Sequence, residues 1–497
     1  MYQSSANVEH STHSHPVYDT PGVKLDNHRR TRYVTTQMST LIFTLLTTVM
    51  LVVVIALGAR TVLHLENDGI KVSTVYPSAG FPTITDLSWD DVVKSAVGGS
   101  IQFWMVDTNP SAVDWVDNWL APLVRDKYGV TITRPCSGGT CAMQAVDKLT
   151  AYVETGTTRG DVDLIWINGE NFKRAKHGNL LYGPWARLVP NAANFDFTTQ
   201  RVSVDFGEPT DGYELPFNQA QYVFIYNRRF VNDQCTFSNA TPTCLPQTMD
   251  ELIHWVISNP GRFTYARPLQ SDGKSFDFTG SAFIRHILYY YGAPFTDMLG
   301  TFNRPLYNQR ASRAFAALRR IEPALAKVNG MSYPTSQGMI DDAFAREEVW
   351  ITASYQVTFA GRQVAIGKWP NTTMAYVPQS GTIQNTNFIA IAKTTSNLAA
   401  SLVVANTIAD ISAMFKRRQP EGWGAIQVYN PTCKAMVDGG WKTAFDYLKY
   451  FPQTPSPNDL RNRAMSELDA AYITQMQTDW VTCVVAYPSN VQTVPCI

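Results

Sequence analysis

The chain of 497 residues carries 41 Lys and Arg against 41 Asp and Glu, a formal net charge of zero, and charged residues make up only 16% of it. Phosphate-backbone recognition needs a surplus of Lys and Arg gathered on one face, and the longest basic run is Lys416-Arg417-Arg418, so nucleic acid is excluded as a partner. At 45% hydrophobic and 12% aromatic residues, the chain has the apolar side chains for two or three compact units and is not a disordered polymer.

Residues 1–37 are polar and rich in Ser, Thr and His, which predicts a disordered cytoplasmic tail. From Tyr33 to Ala59 there is no charged residue, and Met38–Ala59 is almost wholly apolar. As a helix this segment reaches roughly 33 Å, enough to cross a hydrocarbon core of about 30 Å. Its length and the long polar stretch before it predict a retained signal-anchor, with cleavage after Ala56-Leu57-Gly58 as the alternative. Lys24, Arg29, Arg30 and Arg32 on the amino side outweigh Arg60, so the body is expected on the exoplasmic side. All seven Cys follow the anchor. In an oxidising compartment Cys136 with Cys141, Cys235 with Cys244, and Cys483 with Cys496 are local candidate pairs, leaving Cys433 odd; reduced thiols in a cytosolic body are the alternative. Asn239 and Asn371 begin glycosylation sequons on the same side.

Residues 60–95 hold Gly69, Pro77, Gly80 and Pro82 among small polar residues and read as a linker. Strand and helix then alternate. Ser100–Val106 reads as a buried strand, Ala112–Tyr128 as a helix, Val130–Thr133 as a strand, Ala142–Glu154 as a helix and Val162–Ile167 as a strand ending in the polar turn Asn168-Gly169-Glu170-Asn171. This spacing predicts a mainly parallel α/β sheet whose ligands sit at the carboxyl ends of the strands. Two segments have that address: Asp107-Thr108-Asn109-Pro110 and Asn168–Asn171. Further on, Tyr222–Tyr226 is a predicted strand, Met249–Ser258 and Gly280–Tyr291 are helices, and Asp341–Glu348 with Val349–Ser354 repeats the helix-then-strand step. Asn387–Lys393 is a predicted strand and Ser396–Phe415 a long helix, before a mostly helical tail anchored by Trp441, Phe445, Tyr447 and Trp480.

No pair of His four apart, no Gly-x-Ser-x-Gly elbow and no phosphate-binding loop occurs in the body, so the usual signatures of zinc hydrolases, serine hydrolases and nucleotide-driven motors are lacking. His64, His177, His254 and His286 read as ordinary surface or core side chains. Glu170 and Glu214 are the candidate acid and base of a glycosidase, a reaction that needs two carboxyls facing one cleft. Tyr289-Tyr290-Tyr291 ends an apolar helix, where rings pack and hydroxyls stay wet.

The stretch Gly160–Phe172, with Asp163-Leu164-Ile165-Trp166 and Asn168-Gly169-Glu170-Asn171, closely resembles a segment of the ABC-transporter substrate-binding proteins, in the branch near the thiamine, polyamine and iron binders. Collinear motifs support it: Leu180-Leu181-Tyr182-Gly183-Pro184-Trp185, Asp205-Phe206-Gly207-Glu208-Pro209, Glu214-Leu215-Pro216-Phe217 with Gln221, Asn259-Pro260-Gly261-Arg262, Asp277-Phe278-Thr279-Gly280-Ser281 and Gly381-Thr382-Ile383-Gln384-Asn385. The likeness covers roughly 100–425. It implies a two-lobed type II periplasmic-binding-protein fold, here preceded by one transmembrane helix, with lobe 1 over 96–215 and 380–425 and lobe 2 over 216–379 and 426–497. Two departures stand out. Asp107-Thr108-Asn109-Pro110 replaces the family's Gly-Gly turn and Asn, and Phe217-Asn218 replaces its Trp-Gly.

These readings converge on a membrane-anchored solute-binding protein without a cofactor or catalysis, which holds a small polar ligand between two lobes, with an ABC permease as candidate partner. The expected cleft residues are Trp104, Asp107 and Asn109, then Asn168, Glu170 and Asn171, then Glu214, Phe217 and Gln219 at the crossing, and Thr279, Ser281 and Tyr355 from the second lobe. Asp107, Glu170 and Glu214 beside Trp104 and Phe217 favour a thiamine-like or polyamine-like cation. A ligand-free adhesion ectodomain and a membrane-anchored glycosidase are the rival readings.

Overall fold

The computed structural model describes residues 88–486 and 497, apart from 274, 421, 422, 447 and 449. The expected tail over 1–37, the anchor over 38–59, most of the linker, Tyr447 and Cys496 lie outside the described residues. Ser88 accepts a hydrogen bond from the Asp91 amide and caps a helix, α1 (Trp89–Ala96), so the end of the expected linker is structured.

Five strands and a sixth crossing strand build the first sheet. β1 (Ser100–Trp104) lies between β2 (Thr131–Thr133) and β3 (Leu164–Ile167), parallel to both. Helical turns over Pro110–Asp114, a π-helical Trp115–Leu120 and Ala121–Tyr128 connect β1 to β2. α2 (Cys141–Glu154) connects β2 to β3, and α3 (Gly169–His177) follows β3. The expected polar turn at Asn168–Asn171 is therefore the start of a helix, which Gly169 enters with φ of 55°, a conformation that costs glycine little.

β4 (Glu214–Gln221) leads within one residue into β5 (Val223–Asn227), the middle strand of a second sheet. Helices α4 (Met249–Ser258), α5 (Phe278–Tyr291) and α6 (Arg304–Ile321) cover this sheet, which β6 (Ile351–Ser354) and β7 (Thr373–Tyr376) complete. Both partners run antiparallel to β5, whereas the expected parallel pairing holds among β1, β2 and β3. Long helical connections let the chain return in either direction, so strand spacing alone does not set polarity. β8 (Thr382–Ile391) carries the chain back, antiparallel to β4 along its whole length and then to β3. These two paired strands join the sheets and give the two-lobed α/β plan.

The long helix expected over Ser396–Phe415 is broken. α7 (Leu398–Ile408) and a second helix, Ile411–Arg418, meet at 60°, because Asp410 accepts a hydrogen bond from the Ser412 amide and starts a new helix. Among the described residues no single helix is long and apolar enough to cross a membrane. β9 (Ala464–Met465) pairs with the start of β8, and α8 (Ala470–Trp480) packs against α5. Residues near 430–445 meet the first-sheet side, where the Asn430 amide bonds the Asn194 carbonyl and Phe445 packs on Phe415.

The main core surrounds α5, whose residues from Gly280 to Tyr289 are all buried. Tyr289 donates to the Ser466 carbonyl and accepts from the Leu468 amide, so its hydroxyl is sealed rather than wet. Trp480 is fully buried with its indole N–H on the Tyr265 hydroxyl. Disulfides join Cys136 to Cys141 and Cys235 to Cys244, and Cys433 is buried and free. Asn239 and Asn371 are exposed.

His286 ties this core to the crossing strands. Its ring Nδ1 lies 2.7 Å from the Ala282 carbonyl, and Nε2 accepts from the Ile383 amide of β8 at 2.9 Å. Burial pulls the ring down to about 3, although the Ala282 carbonyl opposes this. The imidazole is expected to stay neutral between pH 8 and pH 5, read as ring NMR signals that do not shift.

Glu214 is fully buried on β4 with both carboxyl oxygens unpartnered. Burial, with Asp205 adding to it, pushes this carboxyl well above its ordinary range. The folded state thus keeps a proton that the unfolded chain loses above about pH 4.5, and stability falls as pH rises past that point. Glu214→Gln should raise stability at pH 8 by at least about 1 kcal/mol and leave it nearly unchanged at pH 4, read by thermal melts at both values.

Candidate functional site

A cavity of about 450 Å³ opens where the carboxyl ends of the first-sheet strands face the second sheet across β4 and β8. The first sheet contributes Thr108 and Asn109 after β1, Gly139, Thr140, Ala142 and Met143 around the start of α2, and Trp166 with Asn168 to Asn171 at the β3–α3 junction. The floor is polar. Asn385 of β8 pairs with Ala220 of β4, and Asn387 with Asn218, and all four line the cavity. The opposite wall holds Arg285 of α5, Tyr355 after β6, and one face of α8: Ala470, Ile473, Thr474, Gln477 and Thr478, spaced by a helical turn.

Six of the twelve expected residues line this cavity: Asn109, Asn168, Glu170, Asn171, Gln219 and Tyr355. Several are already engaged. The Asn109 side chain accepts from the Ser111 and Ala112 amides and caps its helix. Asn168 donates to the Thr386 carbonyl at 2.7 Å, and Gln219 to the Thr386 hydroxyl at 3.2 Å, which fixes both to the crossing strands. Glu170 projects at the α3 start with an exposed side chain. Burial of its surroundings raises its carboxyl, with Lys173 and Arg174 acting against that.

The other six lie elsewhere. Trp104 is buried beneath Lys148, whose ammonium stands 5.4 Å from the ring. Asp107 accepts the Gly138 amide and clasps its loop. Glu214 is sealed under β4 and does not face Glu170, so the carboxyl pair that a glycosidase needs is not assembled here. Phe217 backs the wall from behind, edge-on to Trp166 at 5.1 Å and to Trp423 at 5.3 Å. Thr279 lies off the cavity, in the first turn of α5. Ser281 is fully buried and accepts from Arg285 and Gln477.

Arg285 is the residue that sequence reasoning passed over. Its guanidinium is 3.0 Å from Glu467, with side chains 2% and 4% exposed, and 2.9 Å from the Tyr355 hydroxyl. Burial works against its charge most strongly, and Glu467 together with the Tyr355 and Tyr289 hydroxyls outweighs it, so Arg285 titrates above its usual range and stays charged. A single charge within Phe283–Leu288 was the available signal, because a buried charge requires a partner. Trp423, Asn387 and Gln477 carried no comparable mark. The aromatic wall is continuous: Trp423 lies 5.6 Å from Trp166.

Two helices begin on this cavity without a side-chain cap. Neither Thr140, before α2, nor Asn168, before α3, accepts a backbone amide of its own first turn through its side chain, and the Thr140 hydroxyl accepts from the Gln144 side chain instead. The first amides of a helix have no partner within it, and they carry partial positive charge. The Gly169 amide goes to Asp205, leaving those of Glu170 and Asn171 at the cavity edge. Arg174, paired with Asp147 at 2.7 Å, adds a second guanidinium. Among the described residues no group of His, Cys, Asp or Glu is placed to hold a metal ion.

The family model for bacterial extracellular solute-binding proteins matches residues 121–414. The chain belongs to this family. This solute-binding protein is 27% identical to protein YnjB of Escherichia coli over 398 residues, 79% of the chain and 93% of that relative. Its fold is that of the spermidine/putrescine ABC-transporter substrate-binding protein PotD from Streptococcus pneumoniae, with a TM-score of 0.52 at 12% identity over 78% of this chain and 98% of that one. The periplasmic binding protein AfuA from Actinobacillus pleuropneumoniae, crystallised with fructose-6-phosphate, superposes with a TM-score of 0.50 at 14% identity over 78% and 99%. The α/β architecture of this solute-binding protein is thus the type II periplasmic-binding-protein fold.

The buried ion pair sets a testable cost. Arg285→Met strands Glu467 without its partner and should destabilise this solute-binding protein by about 3–5 kcal/mol in denaturant titrations. Adding Glu467→Met should recover most of the loss.

Proposed function

We propose that this protein captures a small organic anion in the 450 Å³ cavity and hands it to an ABC permease, without chemistry of its own. The convergence of two uncapped helix starts and Arg285 on one cavity carries this reading. Such an arrangement meets negative charge with amide N–H groups and a guanidinium, while Trp166 and Trp423 offer flat faces to the rest of the solute. The ligands named for PotD and AfuA differ in charge, so the proposal rests on this chain's own cavity.

A cationic ligand, thiamine-like or polyamine-like, is the second reading. Glu170 beside the Trp166 ring favours it. Asp107 and Glu214, the other two carboxyls that it calls on, do not line the cavity. An open cavity of this size also weighs against a ligand-free adhesion domain, which has no use for it. The segment 38–59 is proposed as the membrane tether, with the amino-terminal tail cytoplasmic and the binding body exoplasmic.

A thermal-shift panel of the full chain tests the charge of the solute: hexose phosphates, dicarboxylates and amino acids against thiamine, polyamines, ferric ion and neutral sugars. Binding to the folded state alone stabilises by about 2.7 kcal/mol at a hundredfold excess over Kd. An anion is expected to give the saturable rise, and Glu170→Gln should tighten its binding two- to tenfold by removing a like charge. A rise with cations only, lost in Glu170→Gln, overturns the anionic reading in favour of the second. No rise in a well-folded sample overturns solute capture.

A further inference from the structure

Cross-strand partners share a face, so Gln384 and Thr386 of β8 face away from the solute cavity, Asn218, Ala220 and Asn387 face into it, and Gln219 and Asn385 border both sides. On that other face lies a second cavity of about 420 Å³. Gln384 and Thr386 line it, and the two cavities meet at Phe206, Gln219 and Asn385.

Two buried carboxyls stand in its wall. Asp205 is 1% exposed; Oδ2 accepts the Gly169 amide, and Oδ1 has no partner. Glu467 is held by Arg285 through Oε1, and Oε2 has no partner. Asn385, also buried, leaves Oδ1 unpartnered on the same cavity. Buried acceptors without donors are costly, and three on one cavity have a shared remedy in a ligand rich in N–H groups. The other charged groups lining the cavity, Asp196 and Arg201, are a carboxylate and a guanidinium, and they balance. Phe206 and Tyr429 leave apolar surface for a short carbon chain. A primary ammonium matches this set, with three N–H donors on one positive centre.

We propose that the cavity behind β4 and β8 is a second binding site, for a small organic cation bearing a primary ammonium held by Asp205, Glu467 and Asn385. The site lies across the crossing strands from the solute cavity and shares Phe206, Gln219 and Asn385 with it, and its assignment does not rest on the solute proposed above. Burial first, with the Glu467 charge adding to it, raises the Asp205 carboxyl well above its ordinary range, and a bound ammonium would oppose that rise.

The test is calorimetric titration of the full chain with ethylammonium chloride at pH 7.5. Saturable binding is expected, weakened at least tenfold by Asp205→Asn and unchanged by Glu170→Gln. Val428→Trp, which fills the second cavity from a wall outside the solute cavity, should abolish it and serves if Asp205→Asn does not fold. Tetramethylammonium has the same charge and no N–H, and should bind at least tenfold more weakly. Absent ethylammonium binding, equal binding of tetramethylammonium, or loss in Glu170→Gln with none in Val428→Trp each overturns the proposal, the last by placing the amine in the solute cavity.

Discussion

The antiparallel pairing of β4 with β8 is the constraint on which the rest of the molecule depends. Backbone bonding between these strands leaves their side chains alternating between two faces, and over Asn218–Ala220 and Gln384–Asn387 both faces meet cavities instead of a core. This explains their composition. Where a buried strand normally carries Val and Ile, the paired stretch holds Asn218, Gln219, Gln221, Gln384, Asn385, Thr386 and Asn387. Their amides and hydroxyls bond one another across the pair, as in Gln384 to Gln221 at 3.0 Å and Gln221 to Thr382 at 3.2 Å. A polar ribbon of this kind tolerates water or ligand on either side while its backbone ladder stays intact.

Placing polar groups so deep is costly, and the molecule handles each one differently. Arg285 and Glu467 are paired and sit between the two cavities. Arg417, wholly buried, has no carboxylate within bonding distance among the described residues; it lies 4.8 Å from the Trp115 ring and 5.1 Å from that of Phe217 and bonds the Ile408 carbonyl. Burial pulls its guanidinium down to about 9, still charged at neutral pH. The ring cluster of Trp115, Trp166, Phe217 and Trp423 that it braces is the rigid back of the solute cavity. A rigid wall holds the binding geometry before the solute arrives, which lowers the ordering cost of capture.

What could be read from sequence was local. Asn109, Asn168, Glu170 and Asn171 line the cavity, and a position just beyond a buried strand is a property of a few neighbouring residues. The same logic failed at Glu214 and Phe217. A crossing strand covered on both sides gives no alternation to say which side chains face the cleft, and both proved to lie beneath it. Asp107 had the right position and the wrong task, since its carboxylate is used on Gly138. The strand polarity of the second sheet, the break at Asp410 and the wall formed by α8 all depend on pairings between residues far apart in the chain. The α8 face of Ala470, Ile473, Thr474 and Gln477 looks like any half-polar helix until its neighbours are known.

That wall has a consequence for how the molecule is made. Every other side of the solute cavity, from Val106 to Ile426, leaves the ribosome before Ala470 to Thr478 does. A nascent chain can therefore fold its first sheet and close its crossing strands while the pocket still gapes on one side. Until α8 is made and packed, the cavity lacks the face of Ala470, Ile473, Thr474, Gln477 and Thr478. The cavity is complete only when this last wall is in place.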